Sequence, residues 1–170
     1  LAAFIGLIQV LSVTGVIQEF VLPAPSSVWR ALITDTDLLW GHLKETMNVS
    51  LLGFFLSIFL GIFVALLMDT FDLIYRALYP LLVISQTIPT MIITPVIVLM
   101  FGYGLVPRLV VVVLVCFFPV SINLLQGFTA VDQDQIRLMR TLGANRAKIL
   151  WHVKFPSSLL HLFSGIRIAA

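Results

Sequence analysis

The sequence predicts an all-α fold, a polytopic bundle of transmembrane helices. Three observations carry that prediction. Of the 170 residues, 60% are hydrophobic and only 11% are charged, with a mean hydropathy of +1.10; soluble domains carry about 25% charged residues. A chain this apolar cannot hide its surface in a water-soluble core. The charges bracket uncharged runs of span length, where a span needs about 20 apolar residues. Prolines and polar side chains recur inside those runs, and such breaks survive in a bilayer only where protein or a water-filled cavity satisfies the freed backbone groups.

The elements follow in order. Leu1 to Gln18 carries no charge and suits a first span. The chain opens and closes inside apolar blocks, so it is expected to be a fragment with both flanking spans cut, and no signal peptide is expected. Phe20 to Glu45 reads as a loop segment. Within it Leu22-Pro-Ala-Pro-Ser-Ser-Val-Trp-Arg30 predicts a turn, then a short interfacial helix capped by Ser26 or Ser27. Trp29 and Trp40 would anchor that helix at the membrane surface. Glu45 and Asp69 bracket a second span, Thr46 to Met68. Arg76 and Arg108 bracket a third, filling Leu78 to Met100, with a turn over Phe101 to Pro107. Leu109 to Val131 makes a fourth, and a fifth begins after Pro156.

The third and fourth spans carry the pathway candidates. Pro80, Pro89 and Pro95 interrupt the third, and Pro119 the fourth; a proline inside a helix removes a hydrogen bond and kinks it. Gln86, Thr87, Thr90, Ser121 and Asn123 lie near these breaks. Polar groups at that depth are costly and mark pathways. Interhelical hydrogen bonding, worth about 0.6 kcal/mol per contact, is the plainer alternative.

Val131 to Pro156 is the one long polar stretch. It predicts two short helices. Asp132 or Asp134 caps the first, and Ile136, Met139 and Leu142 make its apolar stripe. Gly143 stops it by accepting positive φ. Ala144-Asn145 starts the second, with Ile149, Leu150 and Val153 on its apolar side, and Pro156 closes it. Five basic residues (Arg137, Arg140, Arg146, Lys148, Lys154) fall here. With Arg76 they set six cations against Arg30, Lys44 and Arg108, which places the stretch in the cytoplasm. On charge alone the segment is equally an interfacial helix meeting anionic lipid.

The spacing adds a resemblance. Gly143, Val153, Phe155 and Pro156 fall where the cytoplasmic motif of type-I ABC importer permeases has its glycine, isoleucine, leucine and proline. Arg137-Leu138-Met139 replaces that motif's Glu-Ala-Ala, so the role of its Glu does not carry over. Arg140-Thr-Leu-Gly-Ala144, Ser164-Gly-Ile-Arg-Ile-Ala-Ala170 and Leu22 to Trp29 also look like the family. The resemblance covers nearly the whole chain. It implies a single permease domain over 1–170, with about five of six spans present, and a cytoplasmic coupling segment over 131–156. Arg137, Arg140, Gly143, Ala144, Asn145, Arg146, Lys148 and Pro156 would contact or shape the site of an ATP-binding subunit. A second permease copy or paralogue, an extracytoplasmic substrate-binding protein and the bilayer are the other partners implied, in a bacterial inner membrane. Nucleic acid is not among them, and no cofactor or metal is expected.

Tyr79 to Pro89 and Phe101-Gly-Tyr-Gly104 resemble the nitrate/sulfonate/taurine branch, and within it importers of hydroxymethylpyrimidine-type thiamine precursors or of riboflavin. A heterocycle suits a path with Gln86, Asn123 and no Lys or Arg in the third and fourth spans; a nitrate or sulfonate would favour a cation. A secondary transporter with a lipid-binding basic segment is the rival of another class. It needs a carboxylate inside the membrane, whereas Glu45, Asp69, Asp72 and Asp132 bracket the spans. An enzyme is disfavoured: His42, His152 and His161 are scattered, no HExxH or GxxxxGK[ST] occurs, and Cys116 stands alone among apolar residues.

Overall fold

In the computed structural model the described residues are 2–15, 18 and 20–170. They are helical, with no strand among them. The chain divides into two compact units, Leu1–Met47 and Asn48–Ala170.

In the first unit, α1 covers Ala2–Val13 and α2 covers Pro25–Thr34. The expected first span over 1–18 is thus a 12-residue helix, while Leu1, Val16 and Ile17 lie outside the described residues. The expected serine cap is corrected. Pro25 occupies the first helical position, where its fixed φ is already helical, and Ala24 precedes it with no side-chain cap. Ser26 therefore sits one residue inside the helix. Its orphan N–H donates to Gln9 Oε1 at 3.0 Å, and Gln9 Nε2 donates to Ser26 Oγ at 2.8 Å. At the other end, the Thr36 hydroxyl donates back to the Leu32 and Ile33 carbonyls. Trp29 and Trp40 are exposed, and Lys44 Nζ lies 5.6 Å from the Trp40 ring centroid.

α3 is one 35-residue helix, Thr36–Thr70. It contains the predicted second span but begins ten residues earlier, taking in Asp37, His42, Lys44 and Glu45. No proline separates the polar and apolar parts, so the helix continues through both. At 1.5 Å per residue it is about 52 Å long, well beyond a hydrocarbon layer of about 30 Å.

The second unit shows how the spans pack. α4 is Asp72–Thr87, α5 is Thr90–Phe101 and α6 is Leu105–Thr129. The third span, expected to be interrupted by its prolines, breaks at one of them: Ile88, before Pro89, is extended at φ −89° and ψ 119°, as the proline ring demands of its predecessor. Pro80 and Pro95 stay inside their helices. The turn expected over 101–107 is shorter, because Gly102 and Gly104 both take positive φ and α6 starts at Leu105. Pro107 then falls in its first turn, where no helical hydrogen bond is lost. Among the described residues α3 and α6 are long and apolar enough to cross a membrane. α4 with residues 92–101 makes a third candidate, bent by 110°.

Small residues bring the helices together. Val49, Gly53, Ser57, Gly61 and Ala65 are buried at four-residue intervals along α3. A Cβ on Gly53 would lie 2.6 Å from Val112, and one on Gly61 would lie 2.8 Å from Val120. Backbones this close are the usual device where lipid gives no hydrophobic force between helices. α9 (Phe155–Ala169) packs along α6 in the same way, through Gly127 and Gly165. The core between them holds Ala65, Met68, Leu82, Val120, Leu124, Phe128 and Leu162. Ser57, Ser121 and Ser158 are fully buried, and their hydroxyls donate to the Phe54, Phe117 and Phe155 carbonyls of their own helices. Large apolar side chains such as Phe55, Phe59, Leu99 and Leu160 point outward, as lipid permits and water does not.

Candidate docking segment and transport groove

The polar stretch forms a compact turn. α7 runs Gln133–Thr141. Of the two aspartates offered as caps, Asp132 serves, its Oδ1 accepting from Asp134 N at 2.9 Å. Gly143 has φ +78°. Ala144 N donates to the Met139 carbonyl and Gly143 N to the Arg140 carbonyl, each at 2.9 Å. This pair of bonds defines a Schellman stop, which requires a left-handed residue. Asn145 then caps α8 (Arg146–Ile149), its Oδ1 accepting from Lys148 N at 2.8 Å.

Two expectations are corrected. Leu142 is not part of the apolar stripe; it is 73% exposed. Three-residue steps drift by about 60° each around a helix, so by Leu142 the face has turned away. Ile136 instead packs with Val131 and Ile149, and Met139, Ala144 and Val153 close around them. Nor does Pro156 end the second helix. Leu150–Lys154 widens into a π-turn that leads directly into α9. Pro156 cannot donate its bond and its ring crowds the carbonyl four residues back; the wider turn, a common local adjustment, accommodates both. The chain from Arg146 to Ala169 is therefore one helical rod.

Arg140 and Arg146 line a cleft of about 540 Å³ together with Asp69, Asp72 and Lys154. Arg137 and Lys148 lie outside it on the exposed surface. Arg137 Nη1 is 3.4 Å from Asp134 Oδ1 in a solvent-exposed pair, a kind worth about 0–1 kcal/mol. Leu138 and Trp151 are also exposed. Gly143, Ala144 and Asn145 shape the turn, and Pro156 sits in the first turn of α9.

A second feature, about 520 Å³, is a groove between α4, the start of α5, α6 and the end of α9. Gln86, Thr90 and Asn123 line it, as do Ser85, Gln126 and Phe118. Thr87 and Ser121 do not. The Thr87 hydroxyl donates to the Ile84 carbonyl, and Ser121 is sealed in the core. Asn123 Nδ2 donates to the Pro119 carbonyl at 2.8 Å. Gln126 was missed by the reading of the sequence, though its place one turn beyond Asn123 on α6 was a usable signal. No Lys, Arg, Asp or Glu lines the groove among the described residues.

The described residues thus combine apolar helices with small-residue contacts, a proline-broken span and a polar, basic turn. The description "Binding-protein-dependent transport system inner membrane component" matches residues 57–170. The formylaminopyrimidine transport permease protein ThiX of Halalkalibacterium halodurans is 37% identical over 89% of this chain and 61% of its own length. The riboflavin transport system permease protein RibX of Chloroflexus aurantiacus is 34% identical over 87% and 56%. The taurine transport system permease protein TauC of Escherichia coli is 30% identical over 89% and 58%. The chain belongs to the binding-protein-dependent inner-membrane component family, the permeases of ABC importers. It is a multi-pass protein of the bacterial inner membrane. It spans about three-fifths of the length of these curated relatives.

Proposed function

We propose that this chain forms the substrate path of an ATP-driven importer and docks an ATP-binding subunit through residues 131–156 on the cytoplasmic side. The observation that carries the reading is the continuous rod from Arg146 to Ala169, headed by the turn at Gly143. A push on the exposed turn is delivered straight into a membrane helix packed on α6, the kind of rigid-body transmission by which small shifts become large ones. Arg137, Arg140, Arg146 and Lys148 present positive charge there, so the docked surface is expected to be acidic. A second permease copy or paralogue completes the pore, and an extracytoplasmic binding protein delivers substrate. Purification of the full-length protein from native membranes in mild detergent tests this. An ATP-binding subunit in near-stoichiometric amount is the expected result. Repeated recovery without one overturns it and favours a secondary transporter whose basic segment meets lipid.

The substrate in this proposal is a small heterocycle of the pyrimidine-precursor or riboflavin kind. The groove offers the amides of Gln86, Asn123 and Gln126 and the ring of Phe118, with no described charged side chain lining it. Amides that both donate and accept suit heterocyclic edges. The relatives named for formylaminopyrimidine and riboflavin agree in chemistry with that lining. Gln86→Ala and Gln126→Ala are each expected to lower uptake of such a ligand about five-fold, the worth of one hydrogen bond of about 1 kcal/mol. The ATP-binding subunit should remain bound in both. Unchanged uptake kinetics in both variants would assign the amides to packing. Uptake of taurine or another sulfonate in place of heterocycles would transfer the substrate to that branch.

A further inference from the structure

Lys154 and Asp69 form an ion pair that neither the motif nor the groove uses. Lys154 Nζ lies 2.6 Å from Asp69 Oδ1, between residues 85 apart in sequence, with side chains only 20% and 12% exposed. The pair is partly buried at the edge of the cleft; withdrawing two charges from water is costly, and such pairs are often no more stabilising than apolar residues in their place. Their best-attested use is to fix one arrangement or to switch between two.

The position fits that use. Asp69 is in the last turn of α3, where the helix dipole disfavours a carboxylate unless a cation stands beside it. Lys154 closes the π-turn, at the joint between α8 and α9. Val153 beside it packs on the docking cluster, and Phe155 packs on the membrane core. The bond therefore ties the joint of the rod to the corner where α3 gives way to α4, and α4 carries Ser85 and Gln86 to the groove.

We infer that Lys154 and Asp69 are positioning residues of the coupling mechanism, a latch that carries movement of the docking segment to α3 and α4. The inference rests on the permease reading above. It is tested on the full-length permease assembled with its ATP-binding subunit, with Thr90→Cys placed in the groove as a reporter. The labelling rate of that cysteine by a membrane-impermeant maleimide is measured with and without a non-hydrolysable ATP analogue. The parent is expected to change rate by at least about five-fold, the lower end of usual coupling between sites. Lys154→Met and Asp69→Asn should each keep the ATP-binding subunit but respond by less than about two-fold. Lys154→Arg, and the exchange of Asp69→Lys with Lys154→Asp, should each restore much of the response. Single variants that respond like the parent would overturn the latch, as would an exchange that assembles but stays silent. A parent that binds no ATP-binding subunit would overturn the permease reading and the latch with it.

Discussion

Gly127→Leu is expected to prevent accumulation of folded protein, and Gly127→Ala to lower the thermal midpoint by about 4–8 °C, corresponding to roughly 2 kcal/mol of overpacking. A Cβ at Gly127 would stand 2.6 Å from the Ser158 Cβ, 3.0 Å from the His161 Cβ and 3.1 Å from the Ser158 Cα. None of these atoms is the free end of a flexible side chain, so α6 and α9 must separate. Separation also opens the Val120–Leu124–Phe128–Leu162 core and strains the second close approach, at Gly165 against the Pro119 carbonyl. The measurement is a thermal ramp in detergent with a thiol-reactive fluorogenic dye, since Cys116 is buried and becomes reactive on unfolding. Gly41→Ala supplies the contrast. Its Cβ would meet nothing within 4 Å, so alanine there should stabilise α3 by up to about 1 kcal/mol. Equal midpoints for Gly127→Ala and the parent would show that α6 and α9 are not closely packed.

Much of this fold was legible because membrane helices announce themselves by composition. The spans at α3 and α6 lie where uncharged runs lie, and the stop at Gly143 follows from a glycine between two amphipathic stretches. What was not legible depends on geometry that composition does not encode. The early start of α3 was hidden by its charges, which signal a loop only if a helix must end at the membrane surface. A break in the third span was expected from its prolines, but its place was not legible: the three look alike in sequence, and only Pro89 ends a helix. Leu142 was assigned to the apolar stripe by counting threes, and the helix turned it outward.

The site divides along the same line. Arg140 and Arg146 were visible as basic residues, but only folding showed that they share a cleft with Asp69 and Asp72. Ser121 and Asn123 are two residues apart and looked equivalent. They face opposite sides of α6, one sealed in the core and one lining the groove. The Lys154–Asp69 bond joins segments 85 residues apart and has no local signature. The continuity of the rod through Pro156 ran against the ordinary reading of proline, because the π-turn that absorbs it is a rare local solution.

Gly143→Val is expected to lower uptake at least ten-fold, roughly what 1.4 kcal/mol does to an equilibrium, while membrane insertion and the thermal midpoint change little. The cause is conformational, not steric. A side chain at Gly143 would meet nothing within 4 Å, but φ is +78°, and an L-residue in the left-handed region costs about 1–2 kcal/mol, more when β-branched. That cost falls on a small structure. The turn is held by Val131, Ile136 and Ile149 with the residues around them, by the Asn145 cap and by the two Schellman bonds. It has little stability to spare, so the turn relaxes and α8 loses its direction relative to α7. The membrane core, built on separate contacts, is not asked to change. Asparagine tolerates the left-handed region better than other non-glycine residues, so Gly143→Asn should retain several-fold more uptake than Gly143→Val. Uptake and recovery of the ATP-binding subunit, measured side by side, separate the explanations. Loss in both variants alike would mean that any side chain obstructs docking. Full uptake in Gly143→Val would mean that this turn does not carry the coupling.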